Sequence, residues 1–272
     1  MAPRGGVPPG AALAAGTERA VARFDARDPG TDPAEWADDA GRAAALPGLD
    51  PASFDAVVVL AAHADDETLG VGGLLARAAR AGVPTTLVVV SDGGASHPGD
   101  PRPAALAEER AAEARAAAAV LGVGTTLQLH HPDGGLREVR VELAAELGAL
   151  LDELVGRPGA EHGRTLVLTT WRGDGHRDHR VLGEVTVEVV RGRGVTLREY
   201  PVWLWHWGRP DHPEVPWDHL ERVDLAPADQ ESRRRALDAY PSQTTARHGE
   251  PPVLHAGFLA HARRGHDLVV RP

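Results

Sequence analysis

The sequence predicts an α/β fold: a Rossmann-like, mostly parallel sheet with helices on both faces. Three observations lead there. Short β-branched runs alternate with helical stretches along most of the chain. The runs near 55–62 and 84–91 are largely apolar, as strands covered on both faces are. Charged or glycine-rich clusters follow several runs, where open α/β sheets hold ligands and reacting groups. At 272 residues the chain can build one sizeable core, or one core with an appendage.

Taken in order, residues 1–16 read as a disordered lead, without the hydrophobic region of a signal peptide. Residues 17–50 read as a short helical arm packed on the core, with Trp36 as its anchor, and residues 51–272 as the Rossmann-like domain. Strands are expected near 55–62, 84–91, 125–130, 165–170 and 196–206. The helix expected at 68–81 is closed by Gly82. The Ala-rich helix at 103–121 has Pro103 in its first turn and stops at Gly122. Further helices are expected at 137–155 and 178–191. Trp203, Trp205 and Trp207 alternate, so a strand would put all three on one face, as a core or inter-domain layer. Beyond Trp207 a Pro- and Asp-rich loop leads to a helix around 227–239. The C-terminal fifth, with 241–252 loop-like, is expected to close one side of the cleft.

Composition narrows the chemistry. Apolar residues make up 42% and charged residues 25%, as in a soluble globular protein. With no Cys, disulfides, thiolate zinc sites and cysteine nucleophiles are excluded. Any metal must be held by His and carboxylates. A net charge of −10 argues against nucleic acid as a partner. No stretch reaches the apolar length of a membrane span, and cytoplasmic location is the default expectation. All 29 basic residues are Arg, which suggests GC-rich bacterial coding bias rather than function.

The most informative segment is His63-Ala64-Asp65-Asp66-Glu67, one imidazole and three carboxylates directly after the first strand. Such a cluster repels itself and desolvates badly unless a cation binds it or the loop is fully solvated. About a hundred residues on, the strand Thr165–Thr170 opens into Trp171-Arg172-Gly173-Asp174-Gly175-His176-Arg177-Asp178-His179. His63 and Asp66 are spaced i, i+3, as are His176 and His179, a spacing that shares one face of a helical turn. A His/carboxylate set with an open position is what a catalytic zinc uses.

These residues resemble the PIG-L/LmbE-like zinc-dependent N-acetylglucosaminyl deacetylases. Supporting matches are Ser91–Pro98, Arg110 with Glu113, and Ala236–Gln243, so the resemblance covers roughly residues 55 to 245. It implies a Zn2+ cofactor, other divalent transition metals fitting the same donors, held by His63, Asp66 and His179. It implies Asp65 as general base on water. His176 would stabilise the developing oxyanion or protonate the leaving amine. Glu67, Asp92, Arg172, Tyr240 and Gln243 are the implied substrate contacts. The implied substrate is a small N-acylated amino sugar or conjugate. One departure stands out: Ala64 replaces the family's usual Pro, loosening the turn while removing no ligand.

Blander readings compete at each position. An acidic first turn simply complements a helix dipole, and most of the 14 His must be incidental. Gly70-Val71-Gly72-Gly73 echoes a nucleotide-binding loop but lacks G-x-G-x-x-G and sits inside the helix, so close helix–strand packing explains it better. His130–Gly135, at a strand end, reads equally as cleft wall or as a Pro-Asp-Gly turn. The alternative functions are amide cleavage of a thiol conjugate or natural-product intermediate, nucleotide binding, and metal binding without catalysis. Assembly as a homo-oligomer stays open.

Overall fold

In a computed structural model of the chain, residues 25–159 and 163–272 are described. The expectation for residues 1–16, and the part of the arm before residue 25, lie outside them. The described part of the arm forms two short helices, α1 (Pro33–Asp38) and α2 (Ala40–Ala44). Asp32 caps α1 by accepting from the Ala34 N–H at 2.9 Å, and Pro33 occupies the first turn, where no N–H is needed. Trp36 packs edge-on against Trp205 at 5.0 Å between ring centroids.

The body then alternates β1 (Ala56–Ala61), α3 (Asp66–Arg80), β2 (Thr85–Ser91), α4 (Pro103–Leu121), β3 (Thr125–His131), α5 (Arg140–Val155), β4 (Thr165–Thr170), α6 (Arg177–Val189) and β5 (Thr196–Tyr200). All five strands run parallel, in the order β3-β2-β1-β4-β5. The chain then turns through α7 (Leu204–Trp207), β6 (Leu220–Asp224), α8 (Pro227–Leu237), α9 (Pro241–Thr244), α10 (Ala256–His261) and β7 (His266–Val270). β7 pairs antiparallel with both β5 and β6, giving a seven-stranded mixed sheet in the order β3-β2-β1-β4-β5-β7-β6. The predicted α/β class and mostly parallel sheet hold.

The period of two along β1 divides the core. Val57, Val59 and Ala61 join the buried cluster that includes Leu74 and Leu75 of α3, Ala117 of α4 and Ala236 of α8. Val58 and Leu60 join Leu143, Leu147 and Leu151 of α5 and Leu182 of α6 on the other face. Both faces are covered, which is why the strands read as continuous apolar runs.

The glycines of α3 serve packing. A Cβ on Gly70 would meet the Tyr200 ring at 2.3 Å, and one on Gly73 would meet Leu225 at 2.2 Å. They let the helix approach its neighbours and form no phosphate loop.

One expected strand is corrected. β5 ends at Tyr200, and Trp203–Trp207 is not strand but the turn and short helix α7. The backbone N–H groups of Val202, Trp203 and Leu204 all donate to the Asp174 carboxylate, at 2.9 to 3.0 Å, which bends the chain away from the sheet. The three indoles therefore share no face. Trp203 stacks on Phe258 at 4.7 Å, Trp205 meets Trp36, and Trp207 Nε1 donates to the Asp174 carbonyl. The antiparallel strands β6 and β7 had no counterpart in the sequence reading.

Candidate metal centre and active site

β1 and β4 are adjacent in the sheet, and their crossovers depart in opposite directions: β1 leads on to β2 and β4 to β5. Ligands of open α/β sheets bind at such a switch point, outside the carboxyl ends of the strands. The His63–Glu67 segment leaves β1 there and the Trp171–His179 segment leaves β4 there. Two motifs more than a hundred residues apart thus meet by topology.

Their donor atoms converge. His63 Nδ1 lies 3.3 Å from Asp66 Oδ2, His179 Nε2 lies 3.2 Å from Asp66 Oδ1, and the two imidazole nitrogens are 3.4 Å apart. Bonds of ~2.1 Å from a tetrahedral ion to its ligands place donor atoms about 3.4 Å from one another, and each contact of this triangle is near that spacing, Asp66 turning one carboxylate oxygen to each imidazole. His63 is 8% exposed, Asp66 2% and His179 0%. Two wider groupings also come together, His63 with His176 and His179, and His63 with Asp133 and Asp178.

The outer partners favour the first triangle. His179 Nδ1 lies 2.7 Å from Asp174 Oδ2, so its N–H is committed there and the Nε2 lone pair faces His63 and Asp66. His63 Nε2 lies 3.3 Å from Asp133 and 3.4 Å from Asp178, which commits its N–H and leaves Nδ1 for the triangle. Asp178 keeps one buried carboxylate oxygen, Oδ1, with no hydrogen-bond partner. Among the described residues, Arg110 is the one arginine paired with the carboxylates of this cluster, at Asp65 and Asp133, while Asp66, Asp174 and Asp178 meet imidazoles and backbone N–H groups. A further positive charge suits such a set.

Protonation follows this imbalance. Burial disfavours a charged His179, but Asp66 and Asp174 outweigh it and push the imidazole up to about 9. His63 is likewise raised well above its usual value, burial being overcome by Asp133, Asp178 and Asp66. Burial would raise Asp66, yet the charge and hydrogen bond of His179, together with His63, hold it well below the carboxylate range. In the metal-free chain protons on the imidazoles supply part of the missing charge.

Asp65 differs from its neighbour. Burial pushes its carboxyl up to about 7, against the opposing pull of Arg110. Its backbone sits at φ +119°, where an L-residue is strained by about 1–3 kcal/mol. That turn sends Asp65 toward Arg110, 3.2 Å away, while Asp66 faces the imidazoles. Arg110 also donates to the Ala64 carbonyl at 2.6 Å and to the Gly93 carbonyl at 3.1 Å, tying the loops after β1 and β2 together. Ala64 is thus held through its carbonyl oxygen.

His176 is the opposite case. Burial and the neighbouring imidazoles His179 and His63 drop it to about 3, so it is neutral. Its Nδ1 accepts the Asp178 N–H at 3.3 Å as the cap of α6. The proton therefore resides on Nε2, leaving an N–H donor, and the ring stands edge-on to His63 at 4.8 Å.

A cavity of about 290 Å³ opens over these groups, lined by His63, Asp65, Asp66, Asp133, His176 and Arg110 among others. Gln243, Val253 and Leu254 supply the C-terminal side, as expected for that region. His179 lies behind this lining.

Residues 58–190 match the family described as "PIG-L: GlcNAc-PI de-N-acetylase". The chain carries a PIG-L family domain. The PIG-L domain contains His63, Asp65, Asp66, Asp133, His176 and His179, while Gln243 reaches its cavity from outside the matched span. Among solved structures, the A40926 pseudoaglycone deacetylase Dbv21 is 22% identical over 80% of this chain and 97% of its own, with TM-score 0.61. The N,N'-diacetylchitobiose deacetylase of Pyrococcus horikoshii is 20% identical over 70% and 71%, with TM-score 0.54. A zinc-inhibited form of the teicoplanin deacetylase Orf2 is 17% identical over 79% and 96%, with TM-score 0.57. These likenesses show that the fold is shared. No curated protein matches the chain.

The five expected substrate contacts separate. Gln243 lines the cavity of the PIG-L domain. Glu67 and Tyr240 are 0% exposed and bonded to each other, Tyr240 Oη donating to Glu67 Oε1 at 2.5 Å, so both buttress the site from beneath. Asp92 accepts from the Gly94 N–H at 2.9 Å and shapes the loop after β2. Arg172 pairs with Glu199 of β5 at 2.6 Å. None of these four lines the cavity. Sequence reasoning assigned no role to Asp174 or Asp178, met Asp133 only within a stretch read equally as cleft wall or turn, and took Arg110 only as a mark of the resemblance; Asp133, Gly134 and Arg110 all line the cavity. The two aspartates beside His176 and His179 offered a local signal, whereas Arg110 reaches the site only through the packing of α4.

Proposed function

We propose that this chain is a metal-dependent hydrolase that removes an N-acyl group, N-acetyl in the simplest case, from an amino sugar or related conjugate. One observation carries the reading. His63, Asp66, Asp65 and neutral His176 line a single cavity in the PIG-L domain, with His179 against His63 and Asp66 behind them.

A divalent cation held by His63, Asp66 and His179, zinc by the nature of the donors, would supply Lewis acidity, polarising a carbonyl oxygen and acidifying water. The remaining chemistry belongs to the chain. Asp65, poised near neutrality on the cavity wall, takes a proton from water as its oxygen adds to the acyl carbon. The Nε2–H of His176 is placed to donate to the oxyanion that develops on the carbonyl oxygen. A neutral imidazole fits that role better than protonation of the amine. The C–N bond then breaks, the proton on Asp65 passes to the departing nitrogen, and carboxylate and amine leave. Arg110 keeps Asp65 oriented, and Gln243 offers a polar contact on the opposite wall.

Replacing Asp65 by Asn tests the assignment. Release of acetate from an N-acetylated amino sugar should fall by about 10²–10⁴-fold with metal content unchanged. Wild-type turnover in that variant would remove Asp65 as the base.

A further inference from the structure

A larger cavity adjoins the catalytic one. It measures about 770 Å³ and shares Ala26, Ser96 and Val253 with it, so the two lie side by side. We propose that this second cavity binds the body of the substrate, an uncharged, largely apolar group attached to the N-acylated sugar. The inference rests on the deacetylase reading and specifies its substrate class.

Size comes first. Pockets for small ligands span about 300–1,000 Å³. The catalytic cavity, at about 290 Å³, is at the bottom of that range and suits a single ring with its acyl group. A free monosaccharide would leave the adjoining 770 Å³ to water.

The wall chemistry comes second. Pro29, Pro98, Pro251, Pro252 and Val253 give the larger cavity an apolar lining, and the four prolines bring no N–H donors. Its inner charges are already satisfied by one another. Arg247 contacts Asp100 at 2.7 Å and Glu109 at 2.9 Å, and His248 contacts Asp100 at 3.3 Å. Asp100 also accepts the Arg102 N–H at 2.8 Å. The remaining ionic side chains, Asp25, Arg27 and Glu250, are exposed and carry both signs. Among the described lining residues no buried carboxylate or guanidinium waits for an ionic ligand; the unpartnered buried atoms are Nε2 of His97 and Nε2 of His255, which suit a hydroxyl or carbonyl on an uncharged group.

The wall is also fixed in place. Arg247 and Glu250 exchange backbone hydrogen bonds of 3.0 and 2.9 Å, closing a turn with His248 at φ +50° and Gly249 at φ +84°. Pro251 and Pro252 follow directly, and their rings restrict the backbone further.

The test uses the full chain loaded with zinc and two probes, N-acetylglucosamine and its 4-methylumbelliferyl β-glycoside. Titration calorimetry gives Kd for each, and acetate release is followed in parallel. The glycoside should bind at least tenfold more tightly than the free sugar. Two substitutions should collapse that ratio toward one. Gly99→Trp puts bulk where a Cβ meets nothing within 4 Å, and Pro251→Asp adds an unpaired charge to the wall. Equal affinity for the two probes, or a ratio untouched by both substitutions, would overturn the proposal. A preserved ratio in wild type without acetate from either probe would support the cavity and overturn the deacetylase reading instead.

Discussion

Two regions of this molecule bury charge, and they do it differently. Beneath α3, Arg233 pairs with Asp267, at 1% and 0% exposure, and Asp267 also accepts the Leu74 N–H at 2.7 Å. The anion is met by Arg233 and a backbone N–H, and the nearby Arg264 adds a second cation, so no carboxylate here lacks a positive partner and in that sense the cluster is closed. At the ends of β1 and β4, five aspartates surround His63 and His179, and Arg110 is the one arginine paired with them among the described residues. That cluster stays acidic even with protons held on imidazoles that burial alone would keep neutral. A buried ionic group that neutralises itself is architecture. One that must import charge is a place for a cation.

The contrast can be broken from either side. The largest effect is expected at the closed cluster. Arg233→Ala removes the ion pair of buried Asp267 and should lower unfolding free energy by about 3–5 kcal/mol in urea titrations, without lowering the chain's metal stoichiometry. Loss of metal with little loss of stability would invert the comparison. At the open cluster, Asp174→Asn removes the acceptor that fixes His179. It should weaken metal affinity by about 10–100-fold, measured by competition with a chromogenic chelator.

Acidity sharpens the same point. An unfolded imidazole titrates at its ordinary 6.5, whereas His179 in the metal-free chain is pushed up to about 9 and His63 is also raised. Folding therefore binds protons between those values. The stability this contributes is fully present below pH 6.5 and is lost as pH rises through 9. Metal displaces those protons, so its affinity rises over the same range. Melting curves with and without chelator should diverge as pH rises from 6.5 to 9, the chelated chain losing Tm. Parallel curves would mean that the imidazoles do not hold these protons.

The smallest effect concerns Ala64. It is absent from the residues with positive φ, and its N–H makes no hydrogen bond among the described residues. Ala64→Pro should raise stability by about 0.4–1 kcal/mol, read as a higher Tm.

Much of this was legible in the sequence, because the signals were local. Pro103 and Gly122 bracket α4 at its observed ends, Pro103–Leu121. The apolar runs marked β1 to β4, and the charged segments marked where two of those strands end. What stayed hidden depends on distant partners. The Trp203-Trp205-Trp207 alternation has the period of a strand, yet Asp174, about thirty positions earlier, captures the amides that a strand would have used. β6 and β7 are five residues each and become strands by pairing with one another. Glu67 reads like a site residue from its motif. Only the fold shows its carboxylate taken by Tyr240 and Thr68.

The central claim is that the open cluster holds a catalytic cation, and metal content measured with acetate release tests it most directly. Elemental analysis of the full chain, alongside its His179→Ala variant, would be paired with turnover of an N-acetylated glucosamine conjugate before and after chelation. The account predicts about one divalent ion per wild-type chain. Both ion and acetate release should disappear in the variant, and on chelation, and activity should return to the wild-type chain when zinc is restored. Acetate release that persists without bound metal, or an ion that binds equally well without His179, would contradict it.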